Sequence, residues 1–235
     1  GNVPWQYADA RLISDDPAKG LARDKELPAI ADSLLEALGK PEKDVFIVSP
    51  YFVPSKWGMA ALRDLTANNV KVTVLTNSLR ATDVAAVHSG YARYRKDLLN
   101  AGVELYEVKP DFAPPKIRDK GLTGSSATSL HAKTFGVDGK RVFIGSLNFD
   151  PRSARLNTEM GMVIDHAGIA GDMRQELEKI TPQYAYKVVM DKQRKRLRWQ
   201  DPDRPDTLLK KEPDAGLWKR LLNRFLSLLP IEPLL

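Results

Sequence analysis

Short apolar segments rich in β-branched residues alternate with amphipathic helical segments from residue 27 to about residue 180, and this alternation limits the possible folds. We predict strands at Asp44–Ser49, Val70–Thr76 and Val103–Val108. Helical patterns precede, separate and follow these strands, and the predicted helices are Ala29–Leu38, Trp57–Ala67, Asp83–Asn100 and Ala167–Ile180. A chain with this rhythm is expected to be an α/β protein, in which a mixed sheet carries helices on both faces.

A stretch rich in proline and glycine at 110–128 interrupts the alternation, and we predict a long loop there. Leu130–Val137 and Arg141–Ile144 are then predicted as strands, and Thr158–Ile164 as a further strand. The turn between the first two contains Asp138-Gly139-Lys140, and an Asp-Gly pair is a strong signal for a β-hairpin. The sequence therefore predicts a hairpin directly after the long loop.

Four polar residues are expected at one end of this hairpin. Alternate residues of a strand share a face, so His131 and Lys133 should project together, and Ser146 and Asn148 repeat the spacing. An imidazole can attack phosphorus, while an ammonium, a hydroxyl and a carboxamide can bind the non-bridging phosphate oxygens. The chain has no cysteine and no cluster of metal ligands in its sequence, so we expect neither a metal nor another cofactor. The pattern favours phosphoryl-transfer chemistry.

The segment HAKTFGVD at 131–138, followed by GSLN at 145–148, resembles the HxKxxxxD…GSxN signature of the phospholipase D superfamily. The continuation NFDPRSARLNTE at 148–159 is similar to the corresponding part of the bacterial cardiolipin synthases in that superfamily. The resemblance covers most of residues 40–180. It implies a phospholipase D-like α/β/α sandwich around a mixed β-sheet.

The resemblance also implies roles for individual side chains. His131 is then a catalytic histidine, and Lys133, Ser146 and Asn148 are ligands of the substrate phosphate. Asp138 completes the motif in a mainly structural role, which agrees with its place in the predicted turn. On its strand Glu159 alternates with Met160 and Met162, and the resemblance implies that it orients the catalytic imidazole.

The implied activity is that of a phosphatidyltransferase, which makes cardiolipin from phosphatidylglycerol through a phosphohistidine intermediate. With water as the acceptor, the same chemistry gives a phospholipase D-type lipid hydrolase. A superfamily endonuclease, which cuts a nucleic-acid phosphodiester, is the alternative with a different class of substrate.

Enzymes of this superfamily use two such motifs, one histidine attacking and the other protonating the leaving alcohol. This chain has one motif, since neither His88 nor His166 begins a second HxK. The second motif is therefore expected from an N-terminal half or from a second copy of the chain. Gly1 in place of Met suggests a piece of a longer protein, and we expect the isolated half to be weakly active or inactive.

The positive charge is concentrated near the C-terminus. The net charge is +6, and from Pro182 onward there are twelve Lys/Arg and seven Asp/Glu. We therefore divide the chain into a catalytic half, 1–181, and a basic extension, 182–235. Within the extension 217–229 is an amphipathic helical pattern, in which basic residues lie between Trp, Phe and Leu.

This pattern is typical of an interfacial membrane helix, although a helix that packs on the domain would look similar. Because the implied substrate is a lipid, we expect 217–229 to contact an anionic membrane surface, and we do not expect nucleic acid as a partner. No apolar run approaches the ~20 residues needed to span a bilayer. The expected location is thus peripheral, on the cytoplasmic side of a bacterial inner membrane.

Overall fold

The computed structural model describes residues 5–20, 30–110, 130–191 and 193–229. In chain order the strands are β1 (Asp9–Ser14), β2 (Asp44–Val48), β3 (Lys71–Asn77), β4 (Glu104–Val108), β5 (Thr134–Val137), β6 (Arg141–Gly145), β7 (Met160–Asp165), β8 (Ala185–Asp191), β9 (Arg196–Asp201) and β10 (Arg204–Leu209). The helices are α1 (Ile30–Leu38), α2 (Ser55–Ala67), α3 (Ala85–Asn100), α4 (Pro151–Arg155), α5 (Ala167–Tyr184) and α6 (Leu217–Leu226). These strands form one sheet, in the order β1-β7-β6-β5-β2-β3-β4-β8-β9-β10.

The sheet is mixed and is covered on both faces, as the alternation predicted. β2, β3 and β4 are parallel, and the remaining pairs are antiparallel. Every residue of β2 is buried, because one side of this strand packs against α1, α2 and α3 and the other side against α5. Ile47 lies in the core between the sheet and α1 to α3, and its neighbour Phe46 lies in the core between the sheet and α5.

The hairpin prediction is confirmed, with one change at its beginning. β5 and β6 pair antiparallel around a turn in which Asp138 and Gly139 have φ of 56° and 61°. The predicted strand Leu130–Val137 is regular only from Thr134, which pairs with Val48 of β2. β2 ends there, and Pro50 follows shortly after, so residues 130–133 have no continuing strand to pair with.

Asp138 fastens this hairpin to the beginning of β2. Its carboxylate accepts hydrogen bonds from the backbone N–H groups of Glu42, Lys43 and Asp44 at 2.7 to 3.1 Å. Burial alone would raise the pKa of Asp138, but these three donors outweigh it and lower the pKa below its usual value. The side chain therefore holds together two parts of the chain that are far apart in sequence.

Four strands were not predicted from the sequence, namely β1 and β8 to β10. β1 is an edge strand with only Ile13 buried, so its sequence lacks an alternating apolar pattern. β8 to β10 extend the same sheet beyond β4. The division proposed at 181/182 therefore falls within α5, and the basic extension contributes three strands to the sheet. The loop predicted at 110–128 lies, from residue 111 on, outside the described residues.

The predicted C-terminal helix is present as α6, followed by a turn at 227–229. Across the described ranges, no helix combines the length and the apolar character that crossing a bilayer requires.

Candidate active site

The candidate site lies where loops from four parts of the chain meet, at the carboxyl ends of β2 and β3. The backbone N–H of Val53 donates to the carbonyl of Phe149 at 2.7 Å, and the N–H of Phe149 donates to Ser49 Oγ at 3.1 Å. The carboxamide of Asn77 bonds both backbone groups of Leu130, at 3.0 and 3.2 Å. These contacts fix the segments that carry the motif residues, at the sheet edge where α/β proteins commonly bind ligands.

His131 and Lys133 lie together in the extended segment that leads into β5. The distance from Lys133 Nζ to His131 Nε2 is 3.4 Å, and Nζ also donates to the carbonyl of His131 at 2.9 Å. An ammonium can only donate, so this contact fits the tautomer in which Nε2 accepts. The imidazole is exposed, so its nitrogen is accessible to a substrate.

The electrostatic environment of Lys133 comes from partial burial and from two nearby carboxylates. Burial lowers the pKa of Lys133, and this effect exceeds the opposing effects of Glu159 and Asp83. A partly desolvated ammonium interacts more strongly with a bound anion than one in bulk water. Lys133 is thus suited to hold a phosphate oxygen beside the imidazole.

Ser146 is oriented by two groups at the beginning of β7. Its hydroxyl donates to a carboxylate oxygen of Glu159 and accepts from the backbone N–H of Met160 at 3.0 Å. Glu159 is buried, whereas Met160 and Met162 are about half exposed, as the strand alternation predicted. The carboxylate lies behind Ser146 on the inner side of the sheet.

Glu159 is itself held by several donors that the sequence did not indicate. Its second carboxylate oxygen accepts from Ser153 Oγ at 2.8 Å and from Asn157 Nδ2 at 3.3 Å. Its backbone N–H donates to the buried carboxylate of Asp15 at 2.9 Å. Among the described contacts Glu159 accepts a hydrogen bond from Ser146 and none from His131, and its role in orienting the imidazole stays a prediction.

Asn148 provides a polar group without a protein partner. The residue is only 9% exposed, and within the described ranges its Oδ1 position has no hydrogen-bond partner. The oxygen and nitrogen of a carboxamide are distinguished only by their hydrogen-bond partners. With its NH₂ group in this position, Asn148 would donate a hydrogen bond to a bound phosphate oxygen. A buried polar atom without a partner is uncommon and is consistent with a ligand site.

Asp138, which was also predicted as a site residue, does not lie with His131 and Lys133. It lies at the opposite end of the β5–β6 hairpin from His131, and its carboxylate is occupied by the backbone of residues 42–44. It contributes to the site only through the position of the hairpin.

The other two histidines are also committed elsewhere. His88 is buried in α3, where its Nε2 lies 2.6 Å from the guanidinium of Arg95 and 3.4 Å from Glu212. His166 caps α5, since its Nδ1 accepts from the backbone N–H of Ile169 at 3.1 Å. Both side chains therefore have structural roles, and the site contains one histidine from this chain.

Sequence reasoning missed Asp83, which borders the site from the loop after β3. The hydroxyl of Tyr51 donates to both carboxylate oxygens of Asp83, at 3.1 and 3.0 Å. The signal that could have revealed Asp83 is its place after a parallel strand, because such positions meet at one sheet edge. In the described part of the chain, no group of three or more potential metal ligands is gathered.

Both the sequence and the fold of this chain are similar to those of known proteins. The family model for the phospholipase D-like domain of cardiolipin synthase matches residues 34–181. The chain is 47% identical to cardiolipin synthase C of Escherichia coli K12 over 241 residues, which cover 100% of this chain and 50% of that protein. It is 31% identical over 176 residues to cardiolipin synthase A of Pseudomonas aeruginosa, covering 75% of this chain and 32% of that protein.

The fold is similar to that of Nuc from Salmonella typhimurium, a phospholipase D family member. The TM-score is 0.56 at 15% identity, and the match covers 78% of this chain and 99% of that one. At this identity the likeness concerns the fold alone. This chain is shorter than the cardiolipin synthases that it matches. It spans 50% of the length of the E. coli protein and 32% of the length of the Pseudomonas protein.

Proposed function

We propose that this chain, which belongs to the family of cardiolipin synthase phospholipase D-like domains, supplies one half of the active site of a phosphatidyltransferase. The observation that carries the proposal is the contact of Lys133 with His131, while Glu159, which holds Ser146, acts electrostatically on the same lysine. The 47% identity to a cardiolipin synthase along the whole chain supports the lipid substrate class.

The proposed reaction has two displacements at phosphorus. One motif histidine attacks the phosphodiester of phosphatidylglycerol, a P–N bond forms, and the P–O bond to glycerol breaks. The histidine of the other motif donates a proton to the departing alkoxide, which leaves as glycerol. A hydroxyl of a second phosphatidylglycerol then gives its proton to that same histidine and attacks phosphorus, and the P–N bond breaks to release cardiolipin.

Lys133, Ser146 and Asn148 serve both displacements by holding the non-bridging oxygens, where negative charge must be stabilised. Glu159 keeps the hydroxyl of Ser146 in place through its hydrogen bond. With water in place of the second lipid, the same residues would give hydrolysis. A nuclease would need the same phosphate ligands, so these residues do not separate the three activities.

The second motif must come from outside the described residues, either from another half of a longer protein or from a second copy. An uncovered apolar patch suits this contact: Leu12, Ile144, Met160 and Met162 lie side by side on β1, β6 and β7 and are 44 to 62% exposed. The patch adjoins Ser146, which follows β6 directly. A second half docked there would lie next to the site and would remove this apolar surface from water.

The membrane contact is proposed for α6, whose orientation favours it over the alternative of a packing helix. Its polar side faces the domain: Asn223 is buried, and Lys219 Nζ donates to backbone carbonyls of residues 80 and 82. Its apolar side chains face outward and are 47 to 83% exposed: Leu217, Trp218, Leu221, Leu222 and Phe225. Such an outward apolar face fits an interfacial helix and a peripheral location at the cytoplasmic side of a bacterial inner membrane.

The direct test is lipid analysis of cells whose only source of cardiolipin is the complete two-motif enzyme. His131→Ala is expected to abolish cardiolipin formation, because no other residue can form the P–N bond or protonate the leaving group. His166→Asn, which keeps a side-chain acceptor for the cap of α5, is the matched control and should retain cardiolipin. Normal cardiolipin with the His131 variant would refute the assignment.

A further inference from the structure

A second polar cluster lies beside the candidate phosphate ligands and consists of Tyr51, Arg80, Asp83 and Lys219, named the rim cluster here. Tyr51 hydrogen-bonds both carboxylate oxygens of Asp83 at 3.1 and 3.0 Å. Lys219 Nζ donates to the carbonyl oxygens of Arg80 and Thr82 at 3.3 and 3.1 Å. The cluster thereby joins the loops after β2 and β3 to the first turn of α6.

Asp83 lies within electrostatic reach of cations on both sides. Its carboxylate acts to raise the pKa of Lys133 on one side and of Lys219 on the other, although partial burial lowers both. Its exposed carboxylate can accept further hydrogen bonds. Burial and then Asp83 raise the pKa of Tyr51 to about 12, so the phenol remains protonated and keeps Asp83 oriented at neutral pH.

Arg80 and Lys219 form the outer, cationic part of the cluster. Lys219 Nζ lies 3.3 Å from the backbone carbonyl of Arg80, and after burial the charge of Arg80 is the next cause of the lowered pKa of Lys219. Arg80 is exposed, and among the described residues it has no carboxylate within 4.0 Å. Within the described ranges neither Arg80 nor Lys219 forms an ion pair, and two neighbouring cations of this kind produce a local field that favours an anion.

We propose that the rim cluster is the subsite for the acceptor, binding a glycerophosphate head group through its hydroxyl and its phosphate. Asp83 accepts a hydrogen bond from a glycerol hydroxyl, and Arg80 with Lys219 faces the phosphate. This rests on the proposed function, since it takes the reaction to be transfer to an alcohol. Lys133, Asp83 and Arg80 carry a positive, a negative and a positive charge in that order. This order matches the phosphate, glycerol and phosphate groups of the product.

The carboxylate also explains how an alcohol could compete with water. An acceptor held by its hydroxyl at one end and its phosphate at the other presents the attacking oxygen in a fixed place, which water cannot match. The negative charge of Asp83 discourages a phosphate from occupying the middle of the subsite. Asp83 would thus select for the glycerol hydroxyl of the acceptor, and Arg80 with Lys219 would select separately for its phosphate.

The experiment separates these two selections in the complete enzyme with both motifs. Phosphatidylglycerol labelled in its phosphatidyl group is supplied, and the ratio of cardiolipin to the hydrolysis product phosphatidic acid is measured. Asp83→Asn should lower this ratio by about tenfold or more, because a hydrogen bond to a charged acceptor is replaced by a weaker one. Asp83→Glu should restore part of it, and the exposed Asp172→Asn on α5 should not change it.

Arg80→Gln is tested with soluble acceptors, glycerol and glycerol phosphate, in competition. The wild-type enzyme should prefer the phosphate-bearing acceptor, and the variant should lose that preference by about tenfold while transfer to glycerol persists. Transfer with unchanged ratios in the Asp83 and Arg80 variants would overturn the rim cluster and leave the proposed function standing. A wild-type enzyme that only hydrolyses phospholipid would overturn both.

Discussion

Two groups of charged residues in this molecule are built in opposite ways. Around Arg95 the charges are largely buried and face opposite charges: the guanidinium lies 2.8 Å from Glu107, 2.7 Å from Glu212 and 2.6 Å from His88. Glu107 also accepts from Tyr91 and Trp199, at 3.0 and 2.9 Å. At the candidate site, by contrast, His131 is exposed, and among the described residues Lys133 has no carboxylate within 4.0 Å.

The difference teaches how to tell a structural polar cluster from a functional one. In the Arg95 cluster the cation has two carboxylate partners within the protein, so the cluster joins α3, β4, β9 and the segment before α6. At the site the ammonium of Lys133 is held in position without a carboxylate partner among the described residues, which leaves bonding capacity for a substrate. The two histidines follow the same division, since His88 belongs to the first group and His131 to the second.

The strongest test of the comparison removes the centre of the paired cluster. Arg95→Met should lower the free energy of unfolding by about 3–5 kcal/mol, because it leaves Glu107 and Glu212 buried without their cation. Arg63→Met is the control, since that arginine and its partner Asp97 are both more than half exposed. Urea unfolding of the two variants measures the difference. Equal losses would mean that the Arg95 cluster is not a structural unit.

The converse change at the site should affect activity without affecting stability. Lys133→Met in the complete enzyme is expected to lower kcat about 10²–10³-fold, as for other single donors to a developing negative charge. Because burial lowers the pKa of Lys133, folding disfavours its charged form, and removing the charge should leave the unfolding free energy unchanged or raise it. Lys179→Met, on the exposed side of α5, should change neither quantity. A folded variant with normal kcat would remove Lys133 from the phosphate site.

Asp138 belongs to the motif but should behave like the Arg95 cluster. Asp138→Asn is expected to destabilise the protein by about 1.5–3 kcal/mol at neutral pH, since hydrogen bonds to a charged acceptor are lost. The pKa of Asp138 is lowered in the folded state, so its contribution is present above the usual value of 3.8 and disappears as pH falls through the folded-state pKa. Unfolding of wild type and variant over this pH range measures the gap, and a gap that widens on acidification would contradict this account.

The smallest effect is expected for the exposed side of α6. Trp218→Ser combined with Phe225→Ser should change the unfolding free energy by no more than about 0.5 kcal/mol, because both side chains are mostly exposed. Binding to phosphatidylglycerol vesicles should weaken about tenfold, with Trp5→Ser as the control for loss of an exposed tryptophan. Binding by the wild type should also fall with salt, through Arg220 and Arg224, each contributing about 1 kcal/mol near an anionic surface. Vesicle binding that is unaffected by the double substitution would exclude α6 as the membrane contact.

Part of the fold and of the site could be predicted because the signals are local. The His131–Lys133 pair follows from the period of an extended chain, and the hairpin follows from its Asp-Gly turn. Arg95 gave no such signal, since in sequence it resembles a solvent-exposed helix residue, and its partner Glu212 is 117 positions away. Asp83 and Lys219 were likewise invisible, because their contacts join loops and a helix that only the tertiary structure brings together.

The way in which Asp138 and β5 are held has a consequence for how the protein folds. β5 pairs with β2, about ninety residues earlier in the chain, and Asp138 closes the same connection at its other end. The parallel β2–β3–β4 unit, by comparison, is built from contacts between neighbouring elements. Contacts of long sequence separation require the closure of a large loop before they contribute free energy, and they therefore form slowly. The β2–β3–β4 unit can therefore form first, and the strand that follows the His131–Lys133 segment then pairs with the edge of β2 that this unit has left open.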